Sequence, residues 1–201
     1  MKEVLLATRN IKKLLELKRL MRGFGVRVLG LDKFSGLGEV KEDRSTLRGN
    51  AVKKSTQISR VVARLVLSDD SGLEVPALGF APGVRSARYA GLAQDDDKNI
   101  AKLLKKMKDF RPSQRRARFR CFICISVQGK AIKVVSGTVT GRIALERAGV
   151  NGFGYDSVFV PTGSNKTFAQ IGSRQKDMVS HRAIALKKAR TVILEYFRKY
   201  R

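Results

Sequence analysis

The sequence predicts an α/β fold, because strand-like and helix-like patterns alternate along its 201 residues. Residues 4–7 form an apolar run, and apolar side chains then recur at helical spacing over residues 11–21. A second, mostly apolar stretch, residues 61–67, ends in a buried-strand pattern and is followed, after Ser68, by two aspartates. Strand ends face the ligand crevice in open α/β sheets, so these aspartates are candidate site residues.

The first half of the chain is predicted to contain strands that alternate with two helices. Asn10 is the expected N-cap of the first helix, and Thr46 is the expected N-cap of a helix that runs to about residue 62. Residues 26–29 form a strand between these helices, followed by a loop over residues 31–45 that is rich in glycine and charge. The strand before the two aspartates is expected to end in a turn at Ser71-Gly72.

The second half is predicted to contain a helix, a hairpin and a long C-terminal helix. The first of these helices begins with Asp95, Asp96 and Asp97. Their negative charge suits a helix N-terminus, so we interpret them as structural. Residues 117–127 and 131–139 alternate well enough to form a hairpin across residues 128–129.

The charge balance is strongly basic, with 42 Lys and Arg against 17 Asp and Glu, giving +25. This favours an anionic partner, although a solvated cationic face is the alternative. The charge allows a nucleic-acid partner, but we do not expect one, because the cations are spread along the chain and aromatic residues are few. The sequence has neither a run of about 18 apolar residues nor a signal-peptide pattern, so we expect a cytoplasmic protein without a membrane partner.

Cys121 and Cys124 are the two cysteines, and they lie in a strand-like run. Residues three apart in a strand point to opposite faces, so the two sulfurs would diverge. We therefore predict buried thiols in a reducing compartment and no redox or zinc site.

Asp69 and Asp70 are the central candidates for chemistry. Successive strand residues point opposite ways, so the two carboxylates would have different roles. One could hold Mg²⁺ while the other orients or deprotonates a water molecule. A solvated turn is the alternative interpretation of the same residues.

Two predicted helices begin with cations, which the helix dipole disfavours unless an anion binds there. Lys12 and Lys13 lie in the first turn of the first helix, and His181 and Arg182 lie in the first turn of the last. The loop over residues 151–156 places two glycines around an aromatic residue, which suits close approach to a flat ligand or an ordinary turn.

Six motifs in order resemble the inosine triphosphate pyrophosphatase family, nearly end to end. They are residues 6–13, Asn50-Ala51 with Lys54, residues 69–73, residues 81–89, residues 152–156 and residues 180–182. The resemblance implies one domain over residues 1–201 with two lobes, an elongated fold, a long mixed sheet flanked by helices, and a substrate cleft between the lobes. It also implies a homodimer and Mg²⁺-dependent hydrolysis of ITP, dITP or XTP to the monophosphate and pyrophosphate.

The resemblance also assigns site residues. Asp70 would be the general base, and the metal would be held by Glu42, Asp69 and Asp70. The triphosphate would be bound by Thr8, Arg9, Asn10, Ile11, Lys12, Lys13 and Lys54, with Ser71 on the substrate. The purine would be enclosed by Phe153, Gly154, Tyr155 and Asp156, and its 6-oxo edge would be recognised by Lys176, His181 and Arg182.

The chain departs from the family pattern at several positions. Arg9 replaces a glycine, Gly49 stands where many members carry glutamate, and Arg147 and Ser157 replace two prolines. Arg9 and Gly49, together with the charge of +25, motivate an alternative function: a basic nucleic-acid-binding protein on the same fold with weakened catalysis. We favour the enzyme, because the carboxylates and lysines that the chemistry needs are retained.

Overall fold

The computed structural model describes residues 2–34 and 36–200, with strands and helices that alternate as predicted. The strands are β1 (Glu3–Leu6), β2 (Arg27–Gly30), β3 (Leu65–Glu74), β4 (Arg116–Val127), β5 (Lys130–Ile143) and β6 (Phe159–Pro161). The α-helices are α1 (Ile11–Leu20), α2 (Leu47–Val61), α3 (Asp96–Lys106), α4 (Ser173–Val179) and α5 (His181–Lys199).

The strands form one mixed sheet in the order β2-β1-β3-β4-β5-β6. Strand β1 pairs in parallel with β2 and with β3, whereas β5 and β6 pair antiparallel. The predicted α/β fold with a mixed sheet and flanking helices is therefore confirmed.

The chain divides into two compact units. Unit 1 comprises residues 1–70, 121–137 and 182–201, and unit 2 comprises residues 71–120 and 138–181.

In unit 1, alternate residues of β1 pack on opposite faces of the sheet, as the strand period requires. Val4 and Leu6 share a buried cluster with Leu17 of α1. Leu5 lies in a second cluster, with Ile58 of α2. Helix α5 joins α1 in the first cluster through Ala185, Leu186, Ala189 and Ile193.

Unit 2 is built around three phenylalanine rings. The Phe119 and Phe159 ring centroids are 4.7 Å apart, and those of Phe159 and Phe168 are 5.2 Å apart. Leu103 of α3 and Met107, which caps its C-terminal end, are fully buried in the same cluster.

The predicted turn at Ser71-Gly72 is wrong, because β3 continues to Glu74. Gly72 serves close packing instead: a Cβ there would lie 2.3 Å from the Gly83 carbonyl oxygen. The backbone N–H of Leu73 donates to Ser86 Oγ at 2.9 Å, which further ties β3 to the segment that contains Gly83 and Ser86.

The other predicted elements differ from the structure mainly at their ends. Helix α2 begins after Thr46, whose hydroxyl accepts from Gly49 N as an N-cap. Strand β5 continues to Ile143, beyond the predicted residue 139. Helix α4 was not predicted, because seven residues give too short an apolar pattern.

Both cysteines are buried free thiols, as predicted. Burial, the largest influence, raises the pKa of Cys124 above its ordinary value. Across the described residues, no helix combines the length and the apolar character needed to cross a membrane.

Candidate functional site

The turn between β1 and α1 in unit 1 has the geometry of an anion site. Asn10 caps α1 by accepting from Lys13 N at 3.0 Å, and Asn10 N donates to Thr8 Oγ1 at 3.2 Å. The first turn of α1 contains no acidic residue. The backbone N–H groups at the start of α1 and the helix dipole therefore create a positive potential, which favours an anion.

Arg9 links this turn to the loop that carries Glu42. Its guanidinium Nη2 donates to the Leu37 carbonyl oxygen. The residue that departs from the family pattern at position 9 thus joins two segments of unit 1 that contain predicted site residues.

Asp69 is buried between two cations. Its Oδ2 lies 3.4 Å from Lys13 Nζ and 3.3 Å from Arg182 Nε. The other side of the Arg182 guanidinium donates from Nη1 to Glu16 Oε2 at 2.7 Å. Burial opposes the charge of Arg182, but Glu16 and Asp69 outweigh it and raise its pKa.

Lys54 occupies the opposite side of β3. Its ammonium donates to Glu42 Oε1 at 2.6 Å and to the Asp69 carbonyl oxygen at 2.7 Å, and it lies 4.0 Å from Asp70 Oδ1. Burial opposes its charge most strongly, but Asp70, Glu42 and Asp69 together raise the pKa of Lys54. The structure therefore brings Lys54 and Asp70 together as the sequence predicts.

Asp70 has the electrostatic character of a candidate base. Burial is the largest influence and raises its pKa above the ordinary aspartate value, with Glu42 and Asp69 adding to the rise. Lys54 and Lys13 act in the opposite direction. A buried carboxyl with a raised pKa beside cations is typical of functional sites.

A divalent cation fits Glu42 and Asp70 better than it fits Asp69. No three Asp, Glu, His or Cys side chains within the described ranges are grouped so that they could hold a metal ion. Mg²⁺, however, is commonly bound by one or two carboxylates together with substrate phosphates and water. Glu42 and Asp70 flank one ammonium and could supply those two carboxylates, whereas Asp69 faces Lys13 and Arg182.

A second cluster of predicted residues lies in unit 2. Lys176 Nζ contacts Asp156 Oδ2 at 2.5 Å, and both side chains are almost fully buried. The ammonium lies 5.1 Å from the Phe153 ring centroid, and Phe153 N donates to Asp156 Oδ2 at 3.0 Å. Gly152 has a positive φ of 79°, and a Cβ there would lie 2.0 Å from Asp156 Oδ2, so this tight loop requires glycine.

Tyr155 and His181 are held inside unit 2. The Tyr155 hydroxyl donates to the Ser86 carbonyl oxygen at 2.9 Å, and burial raises its pKa. The His181 ring is buried and stacks on Phe119 with centroids 4.6 Å apart. These contacts fix the two rings, so a substrate contact by either would be made from a rigid position.

The remaining predicted residues have simpler surroundings. Ile11 and Lys12 are exposed at the start of α1, and Ser71 is half-buried on β3. Gly154 N donates to Asp96 Oδ2 at 3.0 Å, so one of the acidic residues that open α3 also holds the loop of the second cluster.

Sequence reasoning missed Glu16. It is 3% exposed, on the same helix as the buried Leu14 and Leu17. A charged residue beside the apolar positions of a helix was the available signal, because a buried carboxylate requires a partner.

Gly49 lies in the first turn of α2, where it contributes no ligand atom. A Cβ there would meet Arg44 Cβ and Thr46 Oγ1, both at 3.0 Å. A glutamate at this position would need these side chains to shift.

A family model described as the Ham1 family matches residues 4–192. The chain belongs to the Ham1 family. Within it, the chain is 43% identical over 188 residues to the dITP/XTP pyrophosphatase of Bacillus subtilis, covering 94% of this chain and 95% of that one. It is 39% identical over 199 residues to the dITP/XTP pyrophosphatase of Listeria monocytogenes serovar 1/2a, covering 99% and 98%.

Solved structures of Ham1 proteins share the fold. The Staphylococcus aureus Ham1 protein has a TM-score of 0.85 at 38% identity, and the Coxiella burnetii HAM1 protein has a TM-score of 0.87 at 35% identity. Each match covers 97% of this chain and all of the other.

Proposed function

We propose that this chain hydrolyses the triphosphates of deaminated purines, namely ITP, dITP and XTP, to the monophosphate and pyrophosphate with Mg²⁺. Its activity class follows from the family: relatives about 40% identical over nearly the whole chain are dITP/XTP pyrophosphatases. The observation that carries the proposal is the buried Asp70 beside Lys54, in the same unit as the cationic start of α1.

The triphosphate would be bound in unit 1. Thr8, Asn10 and the first turn of α1 offer hydroxyl, amide and backbone N–H groups, and Lys13 adds a positive charge. Phosphoryl transfer depends chiefly on such positioning and electrostatic stabilisation. Lys13 already faces Asp69, so its ammonium is held near the turn before substrate binds.

Glu42 and Asp70 would hold the metal ion. When bound, Mg²⁺ supplies neutralisation of phosphate charge and polarisation of the phosphoryl group. Lys54 would keep both carboxylates in place, because its ammonium contacts Glu42 and lies near Asp70.

Asp70 would act as the general base. Its carboxylate would orient a water molecule and accept a proton as the water oxygen bonds to phosphorus. At the same time the phosphoanhydride bond between the α- and β-phosphates would break, and pyrophosphate would leave. A base with a raised pKa is better matched to this transfer than an ordinary aspartate.

Unit 2 would recognise the base. Phe153 offers an aromatic face, and the Lys176 ammonium could donate to a 6-oxo group, which hypoxanthine and xanthine carry and adenine lacks. Asp156 holds Lys176 in place and so would set the direction of that donor. His181 and Arg182 stay proposed contacts; Arg182 already binds Glu16 and Asp69.

The test is pyrophosphate release from ITP, XTP, dITP, ATP and GTP with Mg²⁺. We expect release from the deaminated substrates, and Asp70→Asn should abolish it. Asp109→Asn, which removes a carboxylate that is 84% exposed, is the matched control and should leave the rate unchanged. A folded wild-type protein that releases no pyrophosphate from ITP, XTP or dITP would overturn the proposal.

The proposal extends to a cytoplasmic homodimer. Light scattering should then give twice the chain mass of 22.3 kDa. A monomer at micromolar concentration with full activity would refute the dimer and leave the reaction untouched.

A further inference from the structure

Helices α1 and α5 lie side by side on one face of the sheet in unit 1. Leu14 and Leu17 of α1 share a buried cluster with Leu186 and Ile193 of α5. Arg190 of α5 lies over the ring of Phe24, just after α1, at 5.5 Å. The outer sides of the two helices therefore form one continuous solvent-facing area.

In this area, which we call the α1–α5 surface, the charged side chains are nearly all cations, although the apolar Ile11 and Leu15 of α1 are also exposed. Its exposed cations include Arg22, Lys187, Arg190, Arg198 and Lys199. The two helices contain only two carboxylates: Glu195 is exposed, and Glu16 is buried against Arg182. Cations that are scattered in the sequence are thus concentrated by the fold.

Two cations at and near α2 differ, because each is paired with a carboxylate. Lys53 contacts Asp43 at 2.8 Å, and Arg64 contacts Glu3 at 2.9 Å. On the α1–α5 surface, by contrast, no carboxylate of residues 2–34 and 36–200 lies within 4.0 Å of the side-chain nitrogens of Arg22, Lys187 or Arg190. Like charges held together without counter-charges repel, and a polyanion would relieve that repulsion.

The chemistry of this surface fits a phosphate backbone better than a lipid bilayer. An interfacial helix inserts its apolar side into the bilayer. The apolar side of α5 is not available, because Ala185, Leu186, Ala189 and Ile193 are at most 1% exposed. Phosphate contacts need only exposed Lys and Arg, and they carry no base specificity.

We propose that the α1–α5 surface binds the sugar–phosphate backbone of nucleic acid without reading its sequence, separately from nucleotide hydrolysis. Lys187 and Arg190 are three residues apart on α5 and so lie on the same side of the helix. They are the cations that we expect to contact phosphates most directly.

The test is fluorescence anisotropy of labelled DNA and RNA of about 20 nucleotides, longer than typical single-strand site sizes. Binding should weaken steeply between about 50 mM and about 200 mM KCl. The double variant Lys187→Glu, Arg190→Glu should bind about tenfold more weakly, with a log–log salt slope shallower by about 2. Its pyrophosphatase rate should be unchanged.

The matched control is Lys105→Glu, Lys108→Glu, which makes the same change in charge at exposed positions in unit 2. It should retain affinity within about twofold, since its cations lie outside the surface. Equal loss in both double variants would overturn the proposal in favour of net charge alone. So would absence of binding by wild type at about 50 mM KCl, or binding confined to phosphatidylglycerol vesicles. These outcomes are independent of whether the hydrolysis proposal holds.

Discussion

The clusters in units 1 and 2 differ in their balance of charge. Around β3 in unit 1, four carboxylates, Glu16, Glu42, Asp69 and Asp70, surround the cations Lys13, Lys54 and Arg182. In unit 2, one carboxylate, Asp156, faces one ammonium, Lys176, among aromatic rings. The first cluster interleaves several carboxylates with several cations, whereas the second is centred on one buried ion pair.

This difference suggests two kinds of preorganisation. A buried ion pair can present a hydrogen-bond donor to a purine without rearranging. A carboxylate-rich cluster, by contrast, would change its internal contacts when a metal binds.

Loss of Arg182 should have the largest effect. Arg182→Met would leave Glu16 and Asp69 buried without their shared partner, and breaking a buried ion pair costs about 3–5 kcal/mol. Urea denaturation measures the loss. Arg198→Met, at an exposed position of the same helix, should change the free energy of unfolding by less than about 0.5 kcal/mol. An equal loss of stability in both variants would show that the buried contacts of Arg182 contribute no more than an exposed arginine does.

Loss of Lys54 should reduce the rate of pyrophosphate release by about 10²–10³-fold, because preorganised charge in a site is worth about that much. The variant is Lys54→Met, with kcat measured at saturating ITP. Lys53→Met removes the neighbouring lysine, which pairs with Asp43, and should retain nearly the full rate. If both variants keep the wild-type kcat, Lys54 does not support the reaction.

Substitutions in the two clusters should respond differently to metal. Glu42→Gln should raise the Mg²⁺ concentration for half-maximal rate about tenfold, because one of the two proposed carboxylate ligands is weakened. Lys176→Met should instead lower discrimination of ITP against ATP by about tenfold at every Mg²⁺ concentration. Titration of both variants with Mg²⁺ and both nucleotides checks this. The same Mg²⁺ response in both would contradict the comparison.

The smallest effect is expected at Arg9. Arg9→Gly removes the contact to the Leu37 carbonyl oxygen, worth about 0.5–1.5 kcal/mol, and so loosens the loop that carries Glu42. This free energy corresponds to a rise of about two- to tenfold in the Mg²⁺ concentration for half-maximal rate. We expect kcat at saturating Mg²⁺ to be unchanged. Arg9→Lys, which keeps a donor, should restore part of the difference. A lower kcat at saturating Mg²⁺ would instead place Arg9 on the substrate.

Most of the fold could be predicted from the sequence, because its signals are local. The apolar period of residues 11–21 and the caps Asn10 and Thr46 identify α1 and α2. The error at Ser71-Gly72 arose because glycine serves both turns and close packing, and the contact with Gly83 is made by a residue eleven positions away.

Much of the candidate site could also be predicted, since Lys54 and Asp70 do lie together, while the partners of Arg182 could not. Arg182 and Glu16 are 166 positions apart, and nothing local connects them. The sequence shows that both are charged residues in predicted helices. Only their burial makes each require the other as a partner. The roles of the predicted site residues stay predictions until the variants above are measured.

The close approach at Gly72 limits how this enzyme can be redesigned. A library that diversifies the segment after Asp70 to alter substrate preference should leave position 72 as glycine, since any side chain would push the Gly83 carbonyl away. Leu73 should be kept as well, because it is fully buried in the core of unit 2. Ser71 is only half-buried, so variation at this position would disturb the packing less.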